Sequence, residues 1–230
     1  MAHGKNAMGD RMKTNYEFPS QQYLTRHVPV IIRVDGKSFH GLPLEKPFDN
    51  KFITVMKNLA FSVLREIQGG VLAYAQSDEV SFLLWDWKQN STSAWFDYRK
   101  SKLESITASL ATRYFSDYYG DQHNVFDARA FNIPIAEVPN YFIWRIRDWE
   151  RNSLNMLAQS EYSQKQLNGK NKEQLHEMLH KKGINWASLS DELKNGTLVL
   201  PDGPMNSKKM NYEKLVELIF PLLKTEGAKE

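Results

Sequence analysis

The chain has 230 residues, 41% of them hydrophobic, and its 30 basic and 27 acidic residues leave a net charge of only +3. That length allows one substantial core, and the near balance of charge means that any basic surface must be local. Cysteine is absent, which excludes disulfides, thiolate metal sites and a cysteine nucleophile. No apolar run approaches the ~20 residues of a membrane span and no apolar signal core opens the chain, so we expect a cytoplasmic protein.

Apolar periodicity in the first 135 residues predicts alternating strands and helices. A Val- and Ile-rich run at residues 28–34 is too short for a helix and suits a strand. Apolar residues then recur at spacings of three and four from Phe52 to Ile67, as on one face of a helix. The other elements expected here are a short polar helix at 9–17, strands at 71–76, 80–86 and 126–133, and a helix at 94–119.

The order strand, helix, strand, strand, helix, strand is that of the ferredoxin-like split βαβ fold. Beyond it, the sequence predicts a long helix at 139–160, shorter helices at 172–182 and 186–194, a turn at 201–204 and a terminal helix from Tyr212. We therefore expect an α+β protein with an antiparallel sheet domain at residues 1–135. A helical extension, residues 136–230, is expected to pack on that domain.

Carboxylates are expected to meet at one end of this sheet. Asp35 ends the first strand, while Asp78 and Glu79 occupy the turn between the second and third strands. In the split βαβ topology the third strand lies beside the first, which brings Asp35 and Asp78 together. Oxygen-only ligands suit magnesium, and paired ions could activate a hydroxyl and stabilise a leaving pyrophosphate. The alternative is that Asp78 and Glu79 form a solvated hairpin tip.

The residues after the first strand are typical of a phosphate site. Gly36 permits a sharp turn, after which the backbone amides of residues 36–40 are expected to be open to a phosphate. Cations that could hold a triphosphate follow the first strand or open the second helix, although each alone is equally typical of a solvated surface; they are Lys37, Lys46, Arg99, Lys100 and Lys102. Trp95, Phe96 and Tyr98 could stack on bases or anchor the core.

Residues 33–40 (RVDGKSFH) and 74–79 (YAQSDE) resemble the long, specific motifs of the tRNA(His) guanylyltransferase superfamily, and residues 126–129 and 144–145 also match it. The resemblance runs from about Asp10 to about residue 200 and is closest to the guanylyltransferase-like branch. It implies a polymerase palm that works in the 3′-to-5′ direction. Such enzymes activate a 5′-monophosphate on tRNA with ATP or GTP, after which the 3′-hydroxyl of an incoming nucleotide attacks the activated end.

The resemblance also implies roles for individual residues. The catalytic group would be Asp35, Asp78 and Glu79, and two Mg²⁺ ions would be held by Asp35, the Gly36 carbonyl and Asp78. The nucleotide-binding set would be Gly36, Lys37, Ser38, Phe39, His40, Lys46, Ser77, Arg99 and Lys102. Contacts to tRNA or nucleotide would come from Arg33, Arg151 and Asn152. The expected partners are tRNA, nucleoside triphosphates and further copies of the chain in a homotetramer.

One departure from the family pattern bears on the substrate. Where the eukaryotic enzymes carry His-Ile-Asn-Asn, this chain has Glu150, Arg151, Asn152 and Ser153. The histidine is replaced, although the first Asn is kept. This favours templated repair of 5′-truncated tRNAs over strict addition of one guanylate to tRNA(His).

Three other functions compete with this prediction. Residues 176–180 read His-Glu-Met-Leu-His, the zinc-peptidase pattern, but no later histidine follows and the flanking residues are polar, so we interpret the match as chance. A non-catalytic ferredoxin-like RNA-binding module would need no Asp35–Asp78 pair. A nucleotidyl cyclase would share the palm and differ in its product.

Overall fold

A computed structural model describes residues 7–87, 92–120, 123–204 and 210–223. Its α-helices are α1 (Ala7–Met12), α2 (Asn50–Glu66), α3 (Lys100–Tyr119), α4 (Val138–Glu161), α5 (Gln164–Leu167), α6 (Lys172–Lys181), α7 (Asp191–Asn195) and α8 (Tyr212–Leu223). Its strands are β1 (Val30–Gly36), β2 (Gly70–Gln76), β3 (Glu79–Leu84), β4 (Phe126–Asn132), β5 (Thr197–Leu200) and β6 (Gly203–Pro204).

Across the described ranges, six strands form one antiparallel sheet in the order β4-β1-β3-β2-β5-β6. The first four have the ferredoxin-like order that the sequence predicted, with β1 between β4 and β3. Val30, Ile31, Ile32 and Val34 of β1 are fully buried, as expected of a central strand covered on both faces. The predicted α+β fold is therefore confirmed.

Helices cover both faces of the sheet, and alternate residues of β1 enter two different cores. Ile32 packs in the core that includes Leu59 of α2 and Leu103 of α3. Ile31 packs in the core that includes Phe142 of α4 and Leu215 of α8. This two-sided burial sets the strand register, because a slip by one residue would exchange the two cores. In the described segments, every helix is too short or too polar to cross a membrane.

The structure differs from the sequence-based expectation at β5 and β6, at the start of the second long helix, and at 186–194, where a 3₁₀ turn (Trp186–Ser188) precedes the short helix α7. Strands β5 and β6 were not predicted, because β5 is short and its pairing partner β2 lies far away in sequence. The sheet therefore draws on both predicted domains. The second long helix begins at Lys100, not at residue 94, because Phe96, Asp97 and Tyr98 have positive φ angles of 50°, 52° and 56° that no α-helix accommodates.

The approach of β5 to β2 depends on a glycine. Gly196 has φ of +69°, and a Cβ there would lie 2.6 Å from the hydroxyl oxygen of Tyr74 and 2.7 Å from the carbonyl oxygen of Ala75. The same tyrosine hydroxyl donates a 2.8 Å hydrogen bond to the carbonyl of Asn195. Gly183 has a similar φ of +77°, but a Cβ there would meet nothing within 4 Å.

We expect Gly196→Ala to destabilise the protein more than Gly183→Ala does, as measured by urea denaturation. Both substitutions place a Cβ in the left-handed region, at a cost of about 1–2 kcal/mol. Only Gly196→Ala also forces neighbouring atoms apart, which adds about 1–3 kcal/mol. Equal losses would show that β5 and β2 separate easily.

Candidate active site

The carboxylates expected at the sheet end do meet there. Asp35 pairs with Glu79 in the β1–β3 register, and the amide of Gly36 donates a 3.0 Å hydrogen bond to the carbonyl of Asp78. Asp35, Asp78 and Glu79 all line one cavity of about 520 Å³, which we call the carboxylate cavity. The side chain of Glu79 is only 12% exposed, so the hairpin turn is not a solvated tip.

Burial and mutual repulsion set the charges in this cavity. Burial raises the pKa of Asp78, and the neighbouring charge of Asp35 raises it further. Burial also raises the pKa of Glu79, while the guanidinium of Arg145, followed by that of Arg33, limits the rise. Negative charge is therefore costly here unless a cation accompanies it, and the chain provides Arg145 and, at a longer distance, Arg33.

Arg145 holds Glu79 through two hydrogen bonds. Its Nε and Nη2 atoms donate to the two carboxylate oxygens at 2.8 and 2.9 Å, and Nη2 also lies 3.2 Å from Asp148. Arg33 approaches the same carboxylate at 3.8 Å. Two parallel hydrogen bonds from one guanidinium to both oxygens of a carboxylate fix the position of Glu79 and also compensate its charge. The pair joins α4 to the start of β3.

Sequence reasoning missed most of the α4 residues in the site. One face of this helix presents polar side chains at spacings of three and four, namely Arg145, Asp148, Asn152, Asn155 and Gln159. Residues so spaced lie on one side of a helix. The regular spacing of this polar stripe is the signal that would have identified them, and of its members only Asn152 was predicted as a site residue.

A second cavity, of about 350 Å³, adjoins the first, and we call it the apolar cavity. Both cavities share a wall made of Ser77, Trp149, Met156 and Gln159. Of the predicted nucleotide-binding residues, those that line the apolar cavity are Phe39, His40, Lys46 and Ser77. A volume of this size lies at the lower end of ordinary small-molecule sites.

The turn after β1 is tight, and it leaves fewer amides available than the sequence suggested. A Cβ on Gly36 would lie 2.6 Å from the ring of Phe39, so only glycine fits. The amides of Gly36 and Lys37 already donate to the carbonyls of Asp78 and Val125, which corrects the expectation that all five amides face a ligand. Of these five amides, those of Ser38, Phe39 and His40 donate to no carbonyl in the described turns and loops.

Not every predicted phosphate contact lies at this site. Arg99 forms a backbone bridge with Tyr23, and the amide of Leu24 donates to Tyr98, so α3 begins beside the segment that leads into β1. Asp35 lies at the other end of β1, about 17 Å along the strand. Arg99 and Lys102 are therefore not brought to the carboxylates within one chain.

The other predicted contacts lie nearer to Asp35 and Asp78, but they differ in their exposure and in their partners. Asn152 lines the carboxylate cavity, and Arg33 contacts Glu79. Arg151 is 70% exposed and pairs with Asp148 at the edge of the site. Lys37 is exposed and lines neither cavity.

The candidate ligands suit magnesium that is bound partly by waters and substrate phosphates. They do not suit a metal that is bound by protein side chains alone. In the ranges that the structure describes, no group of three or more Asp, Glu, His or Cys side chains could hold a metal ion. Magnesium is commonly bound by one or two carboxylates together with waters and substrate phosphates, and Asp35 and Asp78 supply such a pair. The elevated pKa of Asp78 indicates a carboxylate whose negative charge a cation would stabilise.

The zinc-peptidase pattern receives no support. His176 and His180 lie on α6, away from both cavities, and the ring of His176 contacts that of Trp186 at 5.7 Å between centroids. Partial burial lowers the pKa of His176. Among the described residues, no third Asp, Glu, His or Cys side chain completes a metal-binding group with these histidines.

Comparison with known proteins agrees with this geometry. Residues 9–134 match the family model described as "Thg1: tRNAHis guanylyltransferase". A relative from Mus musculus, named "Probable tRNA(His) guanylyltransferase", is 33% identical over 150 residues, which are 60% of this chain and 49% of that protein. The chain thus spans about half the length of this curated relative.

Two solved structures of bacterial Thg1-like proteins are also similar. One, in complex with ATP, has a TM-score of 0.80 and 35% identity over 84% of this chain and 86% of its own. The other, in complex with GTP, has a TM-score of 0.72 and 32% identity over 85% of this chain and 84% of its own.

We expect Arg145→Met to cost about 3–5 kcal/mol of stability, because it leaves the Glu79 carboxylate buried without its main partner. The double variant Glu79→Gln, Arg145→Met should lose less than the sum of the single losses, by about 0.5–3 kcal/mol, in urea unfolding. The exposed pair Arg113–Asp117, with side chains 64% and 56% exposed, provides the control. Arg113→Met should change stability by less than about 0.5 kcal/mol. Additive losses for the buried pair would contradict the assignment.

Proposed function

The chain belongs to the tRNA(His) guanylyltransferase family, and from that premise we propose that it is a nucleotidyltransferase that adds nucleotides to the 5′ end of tRNA. Its substrates would be ATP or GTP, which activates the 5′-monophosphate, and the nucleoside triphosphate that is added. The observation that carries the proposal is the shared wall between the carboxylate cavity and the apolar cavity.

This arrangement suits a nucleoside triphosphate. The apolar cavity offers Phe39, Leu44 and Phe52 to a base and Lys46 to a phosphate. Ser77 separates the apolar cavity from the carboxylate cavity, so the triphosphate would pass over this residue. Ser77 has φ of +48°, which makes the turn strained. Strain of this kind persists where the surrounding structure enforces it, which is frequent at ligand sites.

The reaction would take place at Asp35 and Asp78. The chemistry supplied by bound Mg²⁺ is neutralisation of the attacking and leaving oxygens. Asp35 and Asp78 would hold the ions together with the Gly36 carbonyl. Arg145 keeps Glu79 in place beside them, and the three available amides of residues 38–40 would donate to phosphate oxygens.

We infer that the added nucleotide is selected by template pairing. The support is the replacement of the family histidine by Glu150 on α4, two residues before Asn152, which lines the carboxylate cavity. Templated addition would restore tRNAs that have lost 5′ residues, whereas strict guanylate addition is the alternative.

The first test is incorporation of labelled nucleotide into a tRNA that lacks its first residue, with ATP or GTP and Mg²⁺, while the opposing base is varied. We expect incorporation that follows Watson–Crick pairing. Asp78→Asn should reduce it at least ~100-fold, because loss of a direct ligand costs more than the 10- to 100-fold typical of outer partners. Asp117→Asn, an exposed change on α3, should have no effect.

Three results would count against this function. Guanylate addition regardless of the opposing base would contradict templating. A cyclic nucleotide product would identify a cyclase. A protein that binds RNA equally well as wild type and as Asp78→Asn, and that shows no Mg²⁺-dependent nucleotide binding, would be a binding module.

We also propose that the chain forms a homo-oligomer, as expected from the family. The support is the N-terminal arm, residues 7–20, in which no residue is buried. It exposes large apolar side chains, namely Met8, Met12, Tyr16 and Phe18. A helix this short is marginal in water unless its apolar face is covered.

Sedimentation velocity should therefore detect a tetramer. Tyr16→Glu with Phe18→Glu should shift it towards smaller species, because charges would be buried at the contact. The matched change Tyr212→Glu, on α8, should leave the mass unchanged. A monomer at all concentrations would contradict the proposal.

A further inference from the structure

Trp144 is an exposed aromatic side chain that is nevertheless held in one orientation. Its residue is 52% exposed on α4. The guanidinium carbon of Arg145 lies 4.5 Å from the indole centroid, and that of Arg33 lies 5.9 Å from it. The ring of Tyr141 meets the indole edge to face at 5.8 Å. A large apolar ring fixed by three neighbours and still open to solvent offers a preformed contact surface.

The sheet beside this ring is exposed at its edge strand, although the side chain of Arg33 on the central strand is only 16% exposed. Arg33 on β1 lies directly opposite Arg129 on the edge strand β4, and such partners project from the same face of a sheet. Arg129 has a side chain that is 53% exposed. Trp144 therefore forms a wall, and Arg33 and Arg129 form a floor; we call these three residues the Trp144 shelf.

The shelf is continuous with the carboxylate cavity. Arg33 precedes Asp35 by two residues on β1, about 7 Å along the strand, which is the length scale of a single nucleotide. Arg33 also approaches Glu79 at 3.8 Å, and Arg145 links Trp144 to the same carboxylate. A group that stacks on Trp144 would thus have its neighbouring phosphate near Asp35.

The chemistry of the shelf favours RNA over a free ion. Both arginines already have carboxylate neighbours, Glu79 for Arg33 and Asp127 for Arg129, each at 3.8 Å. The net charge is therefore small, and the aromatic face supplies most of the attraction. An aromatic face beside guanidinium groups suits a stacked base whose backbone passes the arginines.

We propose that Trp144 stacks on the terminal base at the 5′ end of the RNA substrate, while Arg129 contacts its backbone. This inference rests on the proposed function, because it assumes that the RNA 5′ phosphate reaches Asp35 and Asp78. It gives Trp144 and Arg129 a positioning role that the sequence analysis assigned to neither residue. The shelf would align the RNA end before the activated phosphate is attacked.

The test uses the full chain and a truncated tRNA that carries 2-aminopurine as its 5′-terminal base, without nucleotide. Stacking on an aromatic ring quenches 2-aminopurine, so the wild-type protein should lower its fluorescence. Trp144→Ala should abolish the quenching and weaken RNA binding about 10- to 100-fold, the range expected for loss of one stacked base. Trp144→Phe should retain most of both signals, and Tyr212→Ala, an equally exposed aromatic elsewhere, should match wild type.

Kinetics provides a second readout. Trp144→Ala should raise the KM for tRNA about tenfold or more and leave the KM for the activating ATP or GTP unchanged, because the apolar cavity is intact. Arg129→Gln should reduce the salt dependence of RNA binding by about one unit of slope, as expected for one lost phosphate contact. Thermal unfolding of each variant checks that the fold is kept.

The two proposals fail in distinguishable ways. Normal quenching and a normal KM for tRNA in Trp144→Ala would overturn the stacking proposal. The proposed function would still be supported if the wild-type protein adds nucleotides. Absence of addition by wild type, with quenching that depends on Trp144, would overturn the proposed function and support the stacking site. Absence of quenching in wild type would overturn the stacking proposal outright.

Discussion

The fork between Arg145 and Glu79 is the contact on which the site depends. Glu79 is the first residue of β3, and Arg145 belongs to α4, so the pair fixes the helix over the end of the sheet. A buried carboxylate beside Asp35 and Asp78 would otherwise be strongly unfavourable. The pair therefore offsets the free-energy cost of burying the Glu79 carboxylate. It also aligns the polar face of α4 with the two aspartates.

Two cavities with different chemistry follow from that alignment. The polar face of α4 completes the carboxylate cavity, while Trp149 and Met156 of the same helix line both cavities. A nucleotide has the same division, with an apolar base and a charged phosphate chain. Trp144, also on α4, lies near Arg33 of β1, which is opposite the exposed Arg129 of β4. One helix thus contributes to all three surfaces.

The sequence carried much of this information in local form. Period-two and period-3.6 patterns marked the four main strands and the two helices between them, because each buries one side or both. Asp35 and Asp78 were identifiable because both directly follow apolar strands whose order dictates that they converge. Local reasoning failed for Arg99 and Lys102, since a position near a helix start does not reveal which end of the sheet that start occupies. It also overestimated the available amides, because Val125 lies almost 90 positions from Lys37 and occupies one of them.

By itself, then, the sequence determined the class of fold, the family and the pair of aspartates, all of which depend on contiguous motifs and on strand order. Only the tertiary structure decided that Arg145 neutralises Glu79, that β5 extends the sheet, and that Trp144 stands exposed above Arg33. Those contacts join residues that are tens of positions apart, and their energies depend on burial and geometry that arise once the helices pack on the sheet. Hydrophobic periodicity indicates which face of an element is buried. It does not indicate which polar residue of a neighbouring element will contact that face.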